Sequence, residues 1–419
     1  MILGAIIVMI LFAFIKPIPL QSCTSCAIAQ SHGAGKSLPL YVLNVANGTV
    51  SVINTTTGSL IKNITVGDAL SDPDSIAATP GLTKIYIANQ YSDTYLGVNG
   101  NQSALPAGTV SVINTSTDTV SRITSGFEQP AAIVVSANGK NAYVLNLNGM
   151  SDPLSSISNG TVTVINATTD KVTKVITIGL EPAYYNGTWP GLAITPDGSQ
   201  VYAADCLSGK VSVINTTNDN ISATVGVGAL CPTTIRITPN GKEAYVLLAN
   251  SGIISVIDTK TNILLGNIIL PGLASSLAIS NNSTDALATS LDTGSLYVIN
   301  TTSNKLANVI GGINGPCQAL VSPDGKRIYV ANIGHINLNG TSGTVSVINA
   351  TDYALIKTIT VGPWPTTIAI TPNSKTLYVT DFTPGLSSGQ IGTVSVINAT
   401  TLNLTDTIRL GHIQMLSQL

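Results

Sequence analysis

The residues that could do chemistry are few. Among 419 residues there are three histidines, five cysteines and 20 Asp and Glu. His32, His335 and His412 stand far apart in the sequence. No Gly-x-Ser-x-Gly elbow, Walker loop or His-Glu-x-x-His segment occurs. Glu128 and Glu181 are the glutamates evident in loops or turns, which gives paired glycosidase carboxylates little support. Ser71-Asp72-Pro73-Asp74-Ser75 and Asp93 could ligate calcium, but two or three carboxylates rarely suffice without carbonyls, so solvated turn acids are expected. Cys23 and Cys26 have C-x-x-C spacing without the second pair that a zinc site needs. Asn89, Asn146, Asp205, Asn332 and Asp381 end equivalent strands and recur at one height. They could ring a channel mouth or an ion site, and capping of the following turn is the expected role. The expectation is no catalytic residue, no metal and no cofactor.

A repeat positions these residues. Val-Ser-Val-Ile-Asn appears at Val50–Asn54, Val110–Asn114, Val211–Asn215, Val345–Asn349 and Val394–Asn398. Variants stand at Val162–Asn166, Ile254–Asp258 and Leu296–Asn300, with spacings of 60, 52, 49, 43, 42, 49 and 49 residues. The shortest spacing is one four-stranded propeller blade, and the excess in the others is loop. Segments such as Thr367–Ile370 and Leu377–Val379 are β-branched or alternate apolar with small residues, as half-buried strands do. Turns such as Thr195-Pro196-Asp197-Gly198 separate them. The predicted fold is all-β, a single β-propeller of four-stranded antiparallel blades.

Tyr329-Val330-Ala331-Asn332, Tyr378-Val379-Thr380-Asp381, Tyr143-Val144-Leu145-Asn146 and the Val-Ser-Val-Ile-Asn copies resemble the YVTN-repeat β-propellers of archaeal and bacterial surface-layer proteins. The resemblance spans about residues 38 to 411. It implies the fold and a place at the cell surface. Related propellers carry haem or copper on histidines, of which this chain has three.

Eight blades are expected, with seven the alternative that the resemblance implies. The units run 40–67, 73–126, 130–179, 190–228, 232–270, 273–311, 316–362 and 365–411. The first shows only three strands, and a ring cannot leave that edge bare. A terminal strand must close it. Residues 412–419 are the favoured closing strand, Cys23–Ala29 the alternative, and a strand from a neighbouring subunit a third possibility. Alternating strand direction puts the tight turns on one face. Nearly all insertions fall on the other: Gln90–Ala107, Leu147–Asn159, Glu181–Trp189, Ile333–Ser342 and Phe382–Ile391. Loops on a rigid scaffold are where recognition concentrates. Tyr91, Tyr95, Tyr184, Tyr185, Trp189 and Trp364 are therefore recognition candidates, with capping of the blades as the plain alternative. Cys206 follows a second strand and Cys231 precedes the next inner strand, so both belong to that face. They are expected to pair, leaving Cys317 free.

Composition and the N-terminus point to export. Charged residues are 9% and the net charge is −2, with no basic stripe for nucleic acid. Ile2–Ile15 is an apolar run before Lys16 and Pro17, too short to span a bilayer but matching a signal-peptide core. Ala27-Ile28-Ala29 resembles a cleavage site, so residues 1–29 are read as a signal peptide or, alternatively, an uncleaved anchor. Seventeen Asn-x-Ser/Thr sequons follow. Asn54, Asn114, Asn166, Asn215, Asn300, Asn349 and Asn398 are the repeat's own turn residue. Asn47, Asn63, Asn101, Asn159, Asn186, Asn220, Asn281, Asn282, Asn339 and Asn403 lie elsewhere. N-linked glycans would supply the polarity that ions do not. The expectation is a secreted, glycosylated, non-enzymatic structural protein of a surface layer, sheath or filament, self-associating or bound to other surface proteins. A surface adhesin is the alternative and a propeller enzyme the least favoured reading.

Overall fold

The computed structural model describes residues 28–29, 39–44, 48–67, 73–90, 108–147, 159–180, 191–228, 231–249, 251–334, 342–381 and 392–410. These form eight antiparallel sheets of four strands each, a β-propeller of eight blades. In the last blade the order is Pro365–Ile370, Thr376–Asp381, Thr393–Asn398 and Asn403–Arg409, running outward from the axis. Each Val-Ser-Val-Ile copy is a third strand. In seven blades its pairing with the outer strand slips one residue at the Val–Ile step, as between Val213 and Ile214 or Val396 and Ile397. Such a bulge bends a strand and strengthens its twist, and here the bend recurs blade after blade.

Apolar side chains on the two faces of each blade build the core between neighbours. Tyr202, Ala204, Val211 and Val213 of the fourth blade pack on Ile235, Ala244, Val246 and Leu248 of the fifth. Leu40, Val42 and Ile53 of the first blade pack on Tyr378, Val394, Val396 and Ile408 of the eighth, which closes the ring. Ile28–Ala29 supplies the inner strand of the first blade by pairing with Leu40–Asn44. This corrects the favoured closure by the C-terminus: residues 412–419 lie outside the described residues, and the N-terminal side of the chain completes the sheet. The expected cleavage after Ala29 would remove this strand.

Buried tyrosines of the second strands latch five of the blades to the next. The Tyr143 hydroxyl donates to Asp219 at 2.9 Å, that of Tyr86 to Asp170 at 2.6 Å, and that of Tyr202 to Asn262 at 2.5 Å. The acceptors sit at positive φ in the third-to-outer turns, between 53° and 55°, a conformation that Asn and Asp tolerate better than most residues.

Candidate functional site: the second-strand ends

Apart from their ends, the insertions expected on the long-loop face lie outside the described residues, which cover only the roots of that face. Connections leaving second strands bond to the segments entering inner strands: the amide of Leu147 donates to the Gln129 carbonyl, Ala249 to Cys231 and Ile333 to Gly315. Cys206 and Cys231 form a disulfide across neighbouring blades, with Cα atoms 4.1 Å apart. Cys317 is not a free thiol. It too is disulfide-bonded, with a partner outside the described residues.

Asn89, Asn146, Asp205, Asn332 and Asp381 stand at equivalent strand ends, each at most 2% exposed. Burial excludes them from lining an open channel mouth, and they bond within their blades. The Asn332 amide donates to Thr344 at 3.1 Å and Ser346 at 2.9 Å; Asn89 does the same to Thr109 and Ser111, and Asn146 to Thr161 and Thr163. Relieved of donating to the amide, the Ser111 hydroxyl donates to the Val66 carbonyl of the preceding blade, and Thr163 to that of Gly126. The series is thus an inter-blade relay.

Two members reverse it. A carboxylate only accepts, so Ser212 donates to Asp205 at 2.7 Å, and Ser395 and Thr393 donate to Asp381 at 2.7 and 3.2 Å. Gly179 and Gly362, on the outer strands of the preceding blades, come so close that a Cβ there would stand 2.9 and 2.6 Å from the carboxylate oxygens. In all five residues Oδ1 has no partner among the described residues. Burial outweighs the donors, raising Asp205 to about 6 and Asp381 to about 7. Aligning the fourth residue of each Tyr-Val-x-Asn copy shows Asp against Asn, the signal by which the pair could have been found.

The other candidates divide. Asn54, Asn114, Asn166, Asn215, Asn300, Asn349 and Asn398 are partly exposed, and each accepts the amide two residues on through Oδ1. Asp258 also accepts a turn amide, from Thr261, so the turn needs the oxygen and not the nitrogen. Asn159, Asn220, Asn281, Asn282 and Asn403 are exposed, while the Asn63 amide donates to Leu410 of the eighth blade. Trp364 is half-buried at φ 44°. Tyr91, Tyr95, Tyr184, Tyr185, Trp189, Asn47, Asn101, Asn186, Asn339, the three histidines, Cys23, Cys26, Asp72, Asp93 and Glu181 lie outside the described residues. Among the described residues no cluster of three or more His, Cys, Asp or Glu could hold a metal.

No protein-family model matches the chain, and no curated protein matches it. Solved structures do. A structure titled dihydro-heme d1 dehydrogenase NirN in complex with DHE is 12% identical, with 91% of this chain and 76% of that one covered at a TM-score of 0.67. Kuenenia stuttgartiensis hydrazine synthase is 24% identical over 64% of this chain and 76% of that one, at a TM-score of 0.49. The propeller is therefore a fold shared with that dehydrogenase, and at 12% identity the likeness is one of fold. The expectation of a non-enzymatic structural surface protein is corrected: its case against catalysis rested on missing motifs, and the same fold serves a dehydrogenase. The resemblance to the surface-layer family holds only as far as the propeller itself.

Proposed function

We propose that the protein is a propeller enzyme that handles its ligand on the long-loop face, with Asp381 as its ionisable group. The observation that carries this is the replacement of Asn by Asp at a buried position of the relay. Asn satisfies the same hydroxyls in sister blades with no charge to desolvate. Breaking the repeat's own rule at a cost in stability is the mark of a functional position. A carboxyl poised at about 7 exchanges its proton at physiological pH and can serve as acid or base. Asp205 is the weaker candidate, since it leads into a short turn tied by the disulfide, whereas Asp381 opens the insertion 382–391.

The dehydrogenase named among the structural neighbours makes redox substrates the first class to test. Full-length protein assayed with dye-linked dehydrogenase and hydrolase panels between pH 5 and 8 should show a turnover that falls about tenfold or more in Asp381→Asn. A turnover equal in parent and variant would overturn the assignment. The same reading places the chain outside the cytoplasm and glycosylated, supported by the Cys206–Cys231 disulfide, the 9% charge and the exposed sequons.

A further inference from the structure

The inner strands carry almost no charge. Asp74 and Arg236 are the only charged residues on the eight of them, and Asp74 stands three blades from Arg236 near the other end of its strand. Contacts between successive inner strands follow the ring, so these strands enclose the central channel. Their residues alternate. Ile76, Ile133, Leu192, Ile235, Leu277 and Ile368 are buried between blades. The next residue in each is half-buried, in most blades against the core of the following blade: Ala77, Val134, Ala193, Ala278 and Ala369, with Leu320 in the seventh blade, whereas Arg236 at the same position is exposed. One guanidinium thus stands in a ring that is otherwise aliphatic.

Arg236 combines two properties that rarely coincide. It is surrounded by protein, which pushes its pKa below the usual arginine value, and yet it is solvent-exposed. A side chain projecting into a channel enclosed by protein has both. Among the described residues its guanidinium donates to the neighbouring Ile235 carbonyl at 3.0 Å. The ion pairs among the described residues are Lys62–Asp118 and Lys84–Asp170, and neither involves it. A guanidinium has five N–H donors in a planar fork, so among the described residues most of its capacity is unused and open to a ligand.

We infer that Arg236 is the anchor of an anion site in the central channel, taking a small oxyanion, carboxylate or phosphate, through the guanidinium fork. Two oxygens of such a group match the fork side by side. Thr234, half-buried two residues back on the same strand, adds a hydroxyl for a third contact. This site stands apart from Asp381, which is buried at a second-strand end on the long-loop face.

The test uses full-length protein in calorimetric titrations with inorganic phosphate and, separately, malonate, with ionic strength held by sodium chloride. Saturable binding of at least one is expected, weakened about tenfold or more in Arg236→Ala and partly retained in Arg236→Lys. Alanine is what four sister blades carry at this position, so the variant has a precedent for folding. Binding of phosphate alone would assign a phosphoryl ligand, and of malonate alone a carboxylate. Binding of neither, or binding unaltered in Arg236→Ala, would overturn the site. So would non-additive losses of stability in Asp74→Asn and Arg236→Ala, since the cation would then have an internal partner.

Discussion

Asp381→Asn should make the protein more stable at alkaline pH while removing an ionisable group. Asp381 is held at about 7 in the fold against 3.8 in an unstructured chain. Its folded value is raised, so its contribution to stability is complete below about pH 4 and is lost as pH climbs through 7. Each factor of ten in proton affinity is worth about 1.4 kcal/mol, so the whole loss is about 4 kcal/mol, of which about 2 to 3 kcal/mol falls between pH 5 and pH 8. Asparagine does not titrate, and its amide would donate to Thr393 and Ser395 as Asn332 does to Thr344 and Ser346. Urea unfolding at pH 5 and pH 8 reads the effect. The parent should lose stability between the two, and the variant should lose about 2 kcal/mol less. A variant less stable than the parent at pH 8, or one with the parent's pH slope, would refute the argument. It would mean that Asp381 is ionised in the fold and supported by its donors.

Asp205→Asn should show the same effect shifted to lower pH, since Asp205 sits at about 6, with a total loss of about 3 kcal/mol relieved; an unchanged slope between pH 4 and pH 7 would count against it. Tyr143→Phe removes the bond to Asp219 and should cost about 1.5 to 3 kcal/mol, as bonds to charged groups do; a loss under about 0.5 kcal/mol in denaturant titration would show that the latch contributes nothing. Peptide mapping without reduction should recover Cys206 linked to Cys231, and Cys206→Ser with Cys231→Ser should cost roughly 3 kcal/mol for a separation of 25 residues. Native material should exceed the polypeptide mass by several kilodaltons of sugar; a mass equal to the bare chain would remove the glycans.

The fold was legible because a propeller is a one-blade problem repeated. Val-Ser-Val-Ile-Asn marks third strands wherever it occurs, and the tight turns between such strands leave little choice of topology. Even the Cys206–Cys231 pair followed, since two loop positions on one face of adjoining blades must lie near each other. Closure was harder. Ile28–Ala29 is only two residues long, and so short a strand has no periodicity to read. It pairs by backbone bonds to Leu40–Asn44, which any sequence can make. The fate of Cys317 went the same way, because nothing local to an inner strand announces which distant thiol it meets.

The candidate site was hidden by the regularity that revealed the fold. Asn89, Asn146, Asp205, Asn332 and Asp381 look like one class when read as turn caps, and in packing they are one class. Chemistry separates them. An amide both donates and accepts, so its hydroxyl neighbours can point on to the next blade; a carboxylate claims those hydroxyls and carries a charge that burial penalises. The difference is a single atom, yet it moves the group from inert to titratable near neutrality. Arg236 follows the same rule from the opposite sign, as the one cation at a position where sister blades carry alanine, valine or leucine. In a repeat protein the positions that pack alike supply the background, and a substitution that packs alike but ionises stands out against it. Asp381 and Arg236 are such substitutions, each with sister blades that show what the fold alone would have used.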